Sequence, residues 1–359
     1  MPGDFINQGH MTTTAAASTA VTGASSTSSA GLVSYETSHT VQMVFLVAGC
    51  GMVSLFGVGS NVINIAVFVR MRFTESINIS LLGLAVGDLG CVVTMLWSSI
   101  CYNPLFADSD LPFNSGEMMY LTGGMTHACF NRITSFLTAF ITLERCLCIT
   151  FPLHVKNFIT PFTNKIIIIV IFVSMFAIFC PFYTVNKLEW RLNSSRNKTI
   201  LTLVQMEQSL LVESVTFPIH SVGMPAMSLL LVVICTTILS VTLTQKAKWR
   251  NTSAQMTKRE TVSVKEKKVV KMVIILAIVF IVCFFPGTVV FFFMAYEPEF
   301  NFGRKYNNIG VLIWAVVLFL ETINSSANIF VYYSMSSKFK ATLTGLLNMY
   351  TDTNQRLET

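Results

Sequence analysis

The stretch that decides the fold is EMMYLTGGMTHACFNRITSFLTAFITLERCLCITFPLHVK, residues 117–156. About two dozen of its residues form an apolar or small run, which at ~1.5 Å per residue is long enough to cross a bilayer as a helix. The run ends in Glu144-Arg145-Cys146, and charges at the end of a membrane helix need water or a partner. An arginine that snorkels to the lipid headgroups would explain Arg145 alone. It does not explain the further apolar runs elsewhere in the chain.

The composition is that of a membrane protein. Of the 359 residues, 53% are hydrophobic and 12% are charged, whereas soluble domains carry about 25% charged residues. Nearly all of the nine cysteines fall in apolar runs or at the ends expected to face the cytoplasm, and Cys101 is the one placed near an outer surface. We therefore predict no disulfide framework.

Seven apolar runs are long enough to span a membrane. They cover residues 42–69, 77–101, 118–150, 165–185, 217–243, 269–295 and 308–333. Proline lies inside three of them, at Pro181, Pro225 and Pro286, which membrane helices tolerate because neighbouring groups satisfy the freed carbonyls. The predicted fold is an all-α bundle of seven transmembrane helices within residues 42–335.

The two ends of the chain differ from this bundle. Residues 1–41 are rich in Ser, Thr and Ala, so we predict a disordered extracellular tail rather than a cleaved signal peptide. In residues 336–359, Lys338 and Lys340 flank an apolar residue of a helical pattern. The apolar positions of that pattern are Met335, Phe339, Leu343, Leu347 and Tyr350. This pattern predicts a short amphipathic eighth helix in the membrane interface, followed by a cytoplasmic tail.

The distribution of Lys and Arg predicts the orientation of the bundle. Seventeen of these residues fall on one side of the seven runs and six on the other, and cytoplasmic segments are the ones enriched in Lys and Arg. The N-terminus is therefore expected outside the cell and the tail inside. The acceptor sequences Asn193-Ser-Ser and Asn197-Lys-Thr lie in a loop that this orientation places outside, so Asn193 and Asn197 are predicted glycosylation sites.

Several short motifs occur in the order and spacing of a known family. They are Gly59-Ser-Asn61-Val, Leu84-Ala-Val-Gly-Asp88, Glu144-Arg145-Cys146, Pro225, Cys283-Phe284-Phe285-Pro286 and Asn324-Ser325-Ser-Ala-Asn328-Ile-Phe-Val-Tyr332. With these motifs, residues 42–348 resemble the rhodopsin-like G-protein-coupled receptors. Within that family, the Phe-Pro-Leu-His-Val-Lys run is similar to invertebrate, especially molluscan, chemosensory and neuropeptide-type receptors.

The chain also departs from the family pattern. The family usually ties its third span to the second outer loop by a disulfide, but Tyr120 stands at the cysteine position and residues 186–216 contain no cysteine. Phe284 replaces the family's toggle tryptophan, and Ile329 replaces the proline of the seventh span. These changes leave the expected fold intact, but they concern how the outer loop is held and how the bundle switches.

Asp88 is a carboxylate among apolar residues, so it needs polar partners or a cation. The resemblance implies a polar network with a sodium pocket that stabilises the resting state. Its members are Asn61, Asp88, Thr134, Asn324, Ser325 and Asn328. A hard cation favours such oxygen ligands. The alternative is a protonated, neutral Asp88 in a water-filled network. Apart from this sodium ion, we expect no cofactor and no metal.

Four further ionisable residues lie inside the spans. They are His127, Arg132, His220 and Glu321. Because a charge is costly in lipid, each is expected to face the interior of the bundle, where a ligand would bind. His127 occupies the position at which amine receptors carry an Asp, which argues against a simple monoamine ligand. Arg132 and Glu321 either pair with each other or contact the ligand directly.

The resemblance also assigns roles near the inner ends of the helices. Arg145, beside Glu144, would contact a heterotrimeric G protein, and Glu266 has the spacing at which an acid of the sixth span reaches that arginine. This bridge would hold together two helices that must separate to admit the G protein. The alternative is a local pairing of Glu266 with neighbouring lysines. The expected activation switch consists of Phe280, Phe284, Pro286 and Tyr332.

Other functions fit the sequence less well. A light receptor of this fold needs a Lys in the seventh span for a retinal Schiff base, and Thr322 stands at about that position. A transporter or channel would use intramembrane charges such as Asp88, but seven spans do not divide into two equal repeats. No phosphate loop or catalytic motif indicates an enzyme. We therefore expect a multi-pass plasma-membrane receptor whose partners are an extracellular ligand, a G protein and the bilayer, not nucleic acid.

The predicted orientation can be tested with an epitope tag at either end of the chain. On intact cells, an antibody is expected to bind an N-terminal tag but to reach a C-terminal tag only after permeabilisation. Asn193→Gln and Asn197→Gln together are expected to abolish the mobility shift caused by a glycosidase, whereas Asn251→Gln is not, because Asn251 lies on the inner side. Antibody binding to the C-terminal tag of unpermeabilised cells would contradict this orientation.

Overall fold

The computed structural model describes residues 33–71, 75–155, 158–193, 197–252, 260–300 and 304–357. Seven helices are long and apolar enough to cross a membrane, as predicted. They are α1 Tyr35–Arg70, α2 Ser76–Tyr102, α3 Ser115–Thr150, α4 Pro161–Val185, α5 Ser209–Gln245, α6 Lys267–Tyr296 and α7 Asn307–Met335. An eighth helix, α8, spans Ser337–Leu357, and short helices cover Pro104–Ala107 and Pro152–Val155. Beyond their apolar parts, α5 continues to Thr252 and α6 begins at Glu260.

The helices form a closed ring in which α7 returns to α1, while α3 packs against α2, α4, α5 and α6. More than half of the apolar window of α2, α3 and α7 is buried, compared with 22–28% for α1, α4 and α5. Large apolar side chains on the outside of the ring are exposed, among them Met52, Ile169, Leu230, Val282 and Phe330. Such a surface suits lipid. Helices α2, α3 and α7, which carry most of the buried polar residues, are therefore the helices that the bundle shields best from lipid.

Helix α1 begins seven residues earlier than the hydropathy predicts. The first turn of α1 is capped by Ser34, whose Oγ accepts a hydrogen bond from Thr37 N at 3.2 Å. Ser38 Oγ donates to Asn308 O of α7 at 3.2 Å, so this polar turn packs on the bundle. The predicted disordered tail is therefore wrong for residues 35–41, and residues 1–32 lie outside the described part. In the same way, α5 begins at Ser209, eight residues before the predicted run.

Three π-helical segments widen α1, α3 and α5 at one end of the bundle. They are Met43–Gly49, Met119–Gly124 and Pro218–Gly223. A π-helical turn interrupts the regular hydrogen bonding of an α-helix and is often found at functional sites. All three lie in the first turns of odd-numbered helices, so they surround the same entrance to the interior.

A β-hairpin covers this end of the bundle, and we call it the hairpin end. Its strands are β1 Asn186–Asn193 and β2 Lys198–Gln205, which pair antiparallel. Tyr120, at the position where the family carries a cysteine, packs edge-on against Phe182 with ring centroids 5.6 Å apart. All nine cysteines lie in the described residues, and none of them forms a disulfide there.

Hydrogen bonds attach β2 to the loop between α2 and α3. Leu201 N donates to Pro112 O at 2.8 Å, and Asn114 N donates to Leu201 O at 3.2 Å. The carboxylate of Glu117 accepts from Leu203 N at 2.7 Å. Backbone hydrogen bonds and one carboxylate therefore connect the hairpin to the start of α3 and the loop before it, whereas in the family pattern a disulfide connects the third span to this outer loop.

At the opposite end, α8 packs beneath α1 and α7. Phe339 is fully buried and lies against Phe68 and Tyr332, with ring centroids 5.5 Å and 5.6 Å away. Lys338 Nζ lies 3.0 Å from Glu75 Oε1, which links α8 to the start of α2. The predicted amphipathic eighth helix is thus present, and its first turn is anchored to the bundle by the buried Phe339, whereas Leu347 is exposed.

Because the Glu117 carboxylate accepts a hydrogen bond from Leu203 N, we expect that the stability of the hairpin end does not depend on a disulfide. Glu117→Ala leaves a backbone N–H without its partner, which typically costs about 1–3 kcal/mol, so the melting temperature of the purified protein should fall. Glu189→Ala is the matched control, because Glu189 pairs on the same hairpin with Arg191 in an exposed ion pair. A reducing agent should leave the melting temperature of the parent unchanged. A fall on reduction that an oxidant reverses would disprove this account.

Candidate functional site

A cavity of about 590 Å³ lies at the hairpin end, between α3, α5, α6 and α7. Much of its wall is apolar, including Met125, Phe182, Phe217, Phe291 and Trp314. The structure brings all four predicted pocket candidates into its lining: His127, Arg132, His220 and Glu321. A mostly apolar cavity of this size with a few convergent polar groups is typical of small-ligand sites.

The floor of the cavity joins α3 to α7. Glu321 and Arg132 are both buried there. Asn131 Nδ2 donates a hydrogen bond to Glu321 Oε2 at 2.7 Å. Among the described residues, Arg132 has no ion pair within 4.0 Å, and its Nη1 atom is buried without a hydrogen-bond partner. Glu321 therefore takes its hydrogen bond from Asn131, rather than from Arg132 as one reading of the sequence allowed.

Two buried histidines line the walls. His127 Nδ1 lies 3.1 Å from Cys91 O. A carbonyl oxygen only accepts, so in the neutral ring Nδ1 carries the proton, and Nε2 is an acceptor that has no partner in the described part of the chain. His220 Nδ1 lies 2.9 Å from Ser221 Oγ, and its ring packs on Phe179 with centroids 4.9 Å apart.

Helix α6 reaches the same floor at Gly287, which follows Pro286. A Cβ atom at Gly287 would lie 2.8 Å from Val317 Cγ1 and 3.5 Å from Glu321 Oε1. Any larger residue would therefore push α6 away from α7 at this point. The floor is consequently a meeting point of three helices, α3, α6 and α7.

Three of the four residues predicted as the activation switch belong to two separate clusters, and the fourth, Pro286, belongs to neither. Phe280 and Phe284 stack in α6 with centroids 4.3 Å apart and belong to a buried cluster that includes Ala139 of α3. Pro286 lies between this pair and the cavity floor. Tyr332 belongs to the other cluster, where it packs edge-on against Phe68 at 5.1 Å. Its hydroxyl is buried without a hydrogen-bond partner.

Asp88 is fully buried in α2. Asn328 Nδ2 donates to Asp88 Oδ2 at 2.7 Å. Ser325 lies beside the same carboxylate, and Asn324 is buried one residue before it. Asp88 Oδ1 and Ser325 Oγ are both buried without a hydrogen-bond partner. These oxygens fit a hard cation, which takes carboxylate and hydroxyl oxygens as ligands.

Two other members of the predicted network, Asn61 and Thr134, form their hydrogen bonds with backbone carbonyls. Asn61 Nδ2 donates to Ser325 O at 2.8 Å and to Gly57 O at 3.0 Å, so it connects α1 to the backbone of α7. Thr134 Oγ1 donates to Asn131 O at 3.0 Å, a bond within its own helix. Threonine in a helix often bonds a carbonyl three or four residues earlier. In the described residues neither side chain bonds to Asp88.

At the end opposite the cavity, Glu144 is the centre of a buried network. Its Oε1 pairs with Arg145 Nη2 at 2.5 Å, and its Oε2 accepts from Ser80 Oγ at 3.1 Å. Asn164 Nδ2 donates to Ser80 Oγ at 2.9 Å, so the network joins α2, α3 and α4. The side chain of Glu266 lies outside the described residues, and its pairing with Arg145 stays a prediction. In the described part, Arg145 pairs with its sequence neighbour.

The sequence does not mark four polar residues of these sites, which are Asn131, Ser80, Asn164 and Glu213. Asn131 and Ser80 are uncharged, and nothing in their spacing marks them as partners of Glu321 and Glu144. Glu213 lines the cavity but falls before the predicted fifth run, so it was assigned to the loop. Its distance of seven residues from His220 could have placed both on one helical face.

The predicted glycosylation sites flank the turn of the hairpin. Asn193 ends β1, and Asn197 precedes β2 with an exposed side chain and a positive φ of 47°. Asparagine tolerates this left-handed conformation better than most residues. Their modification stays a prediction.

Comparison with known proteins gives one family. The description of that family is serpentine type 7TM GPCR chemoreceptor Srw, and its model matches residues 44–349, which include nearly all of α1 to α7 and part of α8. No match was found among curated proteins. A family of receptors also disfavours the transporter alternative. The chain therefore belongs to the Srw family of serpentine seven-transmembrane G-protein-coupled chemoreceptors, and it is a multi-pass chemosensory receptor of the plasma membrane.

Proposed function

We propose that this receptor works as a rhodopsin-like receptor of the invertebrate chemosensory or neuropeptide type. It binds an extracellular ligand in the cavity at the hairpin end and activates a heterotrimeric G protein at the Arg145 end. The observation that carries this proposal is the cavity floor, where Asn131, Glu321 and Gly287 bring α3, α7 and α6 together. With the N-terminus outside, as the Lys and Arg distribution favours, the cavity opens to the extracellular side.

A ligand acts on this floor only if it binds one arrangement of the helices more tightly than another. Groups that contact Arg132 or Glu321 compete with the bond between Asn131 and Glu321, so they change the contact between α3 and α7. The stacked Phe280 and Phe284 lie within two turns of Gly287 along α6, and they belong to the buried cluster that includes Ala139 of α3. A shift at the floor is thereby passed to the inner half of α6.

The proposed G-protein contact is Arg145. Its partner Glu144 has a fully buried side chain and is held by Ser80, whereas the Arg145 side chain is 17% exposed. An arginine that leaves this pair can offer its guanidinium to an incoming protein. Glu266 is proposed to add a second restraint from α6. The excess of Lys and Arg on this side also suits anionic lipid headgroups.

A sodium ion is proposed to bind between Asp88 and Ser325. When bound, it would supply positive charge to a carboxylate that is otherwise buried with one unpaired oxygen. Asn328 orients that carboxylate through the bond to Oδ2. Since α2 and α7 both contribute, an ion held there favours the arrangement in which these helices are close.

This function is tested by measuring nucleotide exchange on purified heterotrimeric G proteins by the receptor in lipid vesicles. The parent should accelerate exchange over receptor-free vesicles with at least one G-protein class. Replacing N-methylglucamine by sodium should lower its ligand-free exchange several-fold, because the ion favours the resting arrangement. Asp88→Asn removes the anionic ligand and should abolish the sodium effect.

Asp108→Asn serves as the control, since Asp108 is an exposed acid in the loop between α2 and α3. It should keep the sodium response of the parent. Absence of exchange with every G-protein class would contradict the function, whereas an unchanged sodium response in Asp88→Asn would contradict the ion site alone.

A further inference from the structure

At the floor of the cavity, an acidic and a basic side chain occur together, whereas near the mouth an acidic side chain has no basic partner among the described residues. At the floor, Glu321 and Arg132 line the same cavity, and Asn131, the residue before Arg132, bonds to Glu321, so a negative and a positive group offset each other. Near the mouth, Glu213 of α5 has the amide of Asn186 beside it. Its Oε1 atom is buried without a hydrogen-bond partner, and no described basic side chain forms an ion pair with it. A buried carboxylate oxygen without a donor is costly unless a ligand supplies one.

Arg132 presents the complementary feature at the floor. Its side chain lines the cavity, the residue is only 4% exposed, and Nη1 is buried without a partner. A guanidinium has five N–H donors and no acceptor, so what it lacks is an oxygen. The oxygen need not be charged, because Glu321 already provides the negative charge. A ligand carboxylate would instead place a second acid beside Glu321.

We propose that the cavity binds a monocationic ligand, with an ammonium or guanidinium group at one end and a neutral oxygen acceptor at the other. The cation pairs with Glu213 near the mouth, and the acceptor takes a hydrogen bond from Arg132 at the floor. This inference rests on the proposed function, because it assigns the charge class of the ligand to the same cavity. The part of α3 that lines the cavity contains no acidic residue among those described, so the cation is bound from α5.

The dimensions of the cavity define the size of the ligand. The part of α5 that lines the cavity runs from Leu210 to Ser221, and the eight residue steps from Glu213 to Ser221 correspond to about 12 Å along the helix axis. An extended chain of three to four amino-acid residues covers about the same length. Phe217, Phe291 and Trp314 line the wall, so the part between the two polar ends is apolar.

The test uses one set of apolar tripeptides in four charge forms, with purified parent receptor and a thermal-shift readout of binding. The forms are the monocation with a free amine and a C-terminal amide, the zwitterion, the neutral N-acetyl amide, and the N-acetyl acid. The monocation should bind at least about tenfold more tightly than the neutral form, because a charge-assisted bond to a buried carboxylate is among the strong ones. It should also bind more tightly than the zwitterion, whose carboxylate meets Glu321.

Glu213→Gln should remove the preference for the monocation over the neutral form, because it deletes the charge and keeps the shape. Glu207→Gln is the matched control, since Glu207 is an exposed acid in the turn before α5 and should leave the preference unchanged. Equal or tighter binding of the zwitterionic, neutral or anionic form overturns the proposal, as does binding of none of the four. Either result leaves G-protein exchange by the ligand-free receptor intact, so the inference and the proposed function fail separately.

Discussion

The hydrogen bond between Asn131 and Glu321 is the interaction on which this account of the receptor depends. A carboxylate in the interior of a membrane protein must be paired, hydrogen-bonded or neutral, because the surrounding lipid offers no water. Here Asn131 Nδ2 lies 2.7 Å from Glu321 Oε2 and joins the central helix α3 to α7. Because the bond forms the floor of the cavity, whatever occupies the cavity contacts a group that also holds the bundle together. In the proposed function, ligand recognition and helix packing therefore depend on the same carboxylate.

Two further polar clusters lie along the bundle, and each also joins different helices. Asp88 and Asn328 connect α2 to α7, and Glu144, Ser80 and Asn164 connect α2, α3 and α4. Apolar clusters separate these layers, with Phe280 and Phe284 in one of them. A buried polar pair is directional and is lost when its helices shift, whereas apolar contacts tolerate repacking. This alternation gives the bundle a small number of alternative arrangements rather than a continuous range, as a switch requires.

Much of this fold was predictable from the sequence, because each membrane helix is a long apolar run and intramembrane charges must face inward. The same argument placed His127, Arg132, His220 and Glu321 in one interior, and the structure brings all four to one cavity. What the sequence could not show is the choice among partners. Asn61 was assigned to the carboxylate of Asp88, but its amide bonds backbone carbonyls of α1 and α7, which no side-chain pattern reveals. The roles of Glu117 and Glu213 were not predicted, because both residues lie just before the apolar runs, although both belong to helices.

The most direct test of the account is a double-mutant cycle at Asn131 and Glu321, measured as ligand-free nucleotide exchange in vesicles at matched receptor amounts. Asn131→Leu should raise exchange several-fold, because it strands the carboxylate and loosens α3 from α7. Ser214→Ala, which changes another residue of the cavity lining, should match the parent. Adding Glu321→Leu to Asn131→Leu should raise exchange by less than the two single changes together, because both break the same bond. Additive effects, or exchange in Asn131→Leu equal to that of the parent, would show that this bond does not couple the cavity to the G protein.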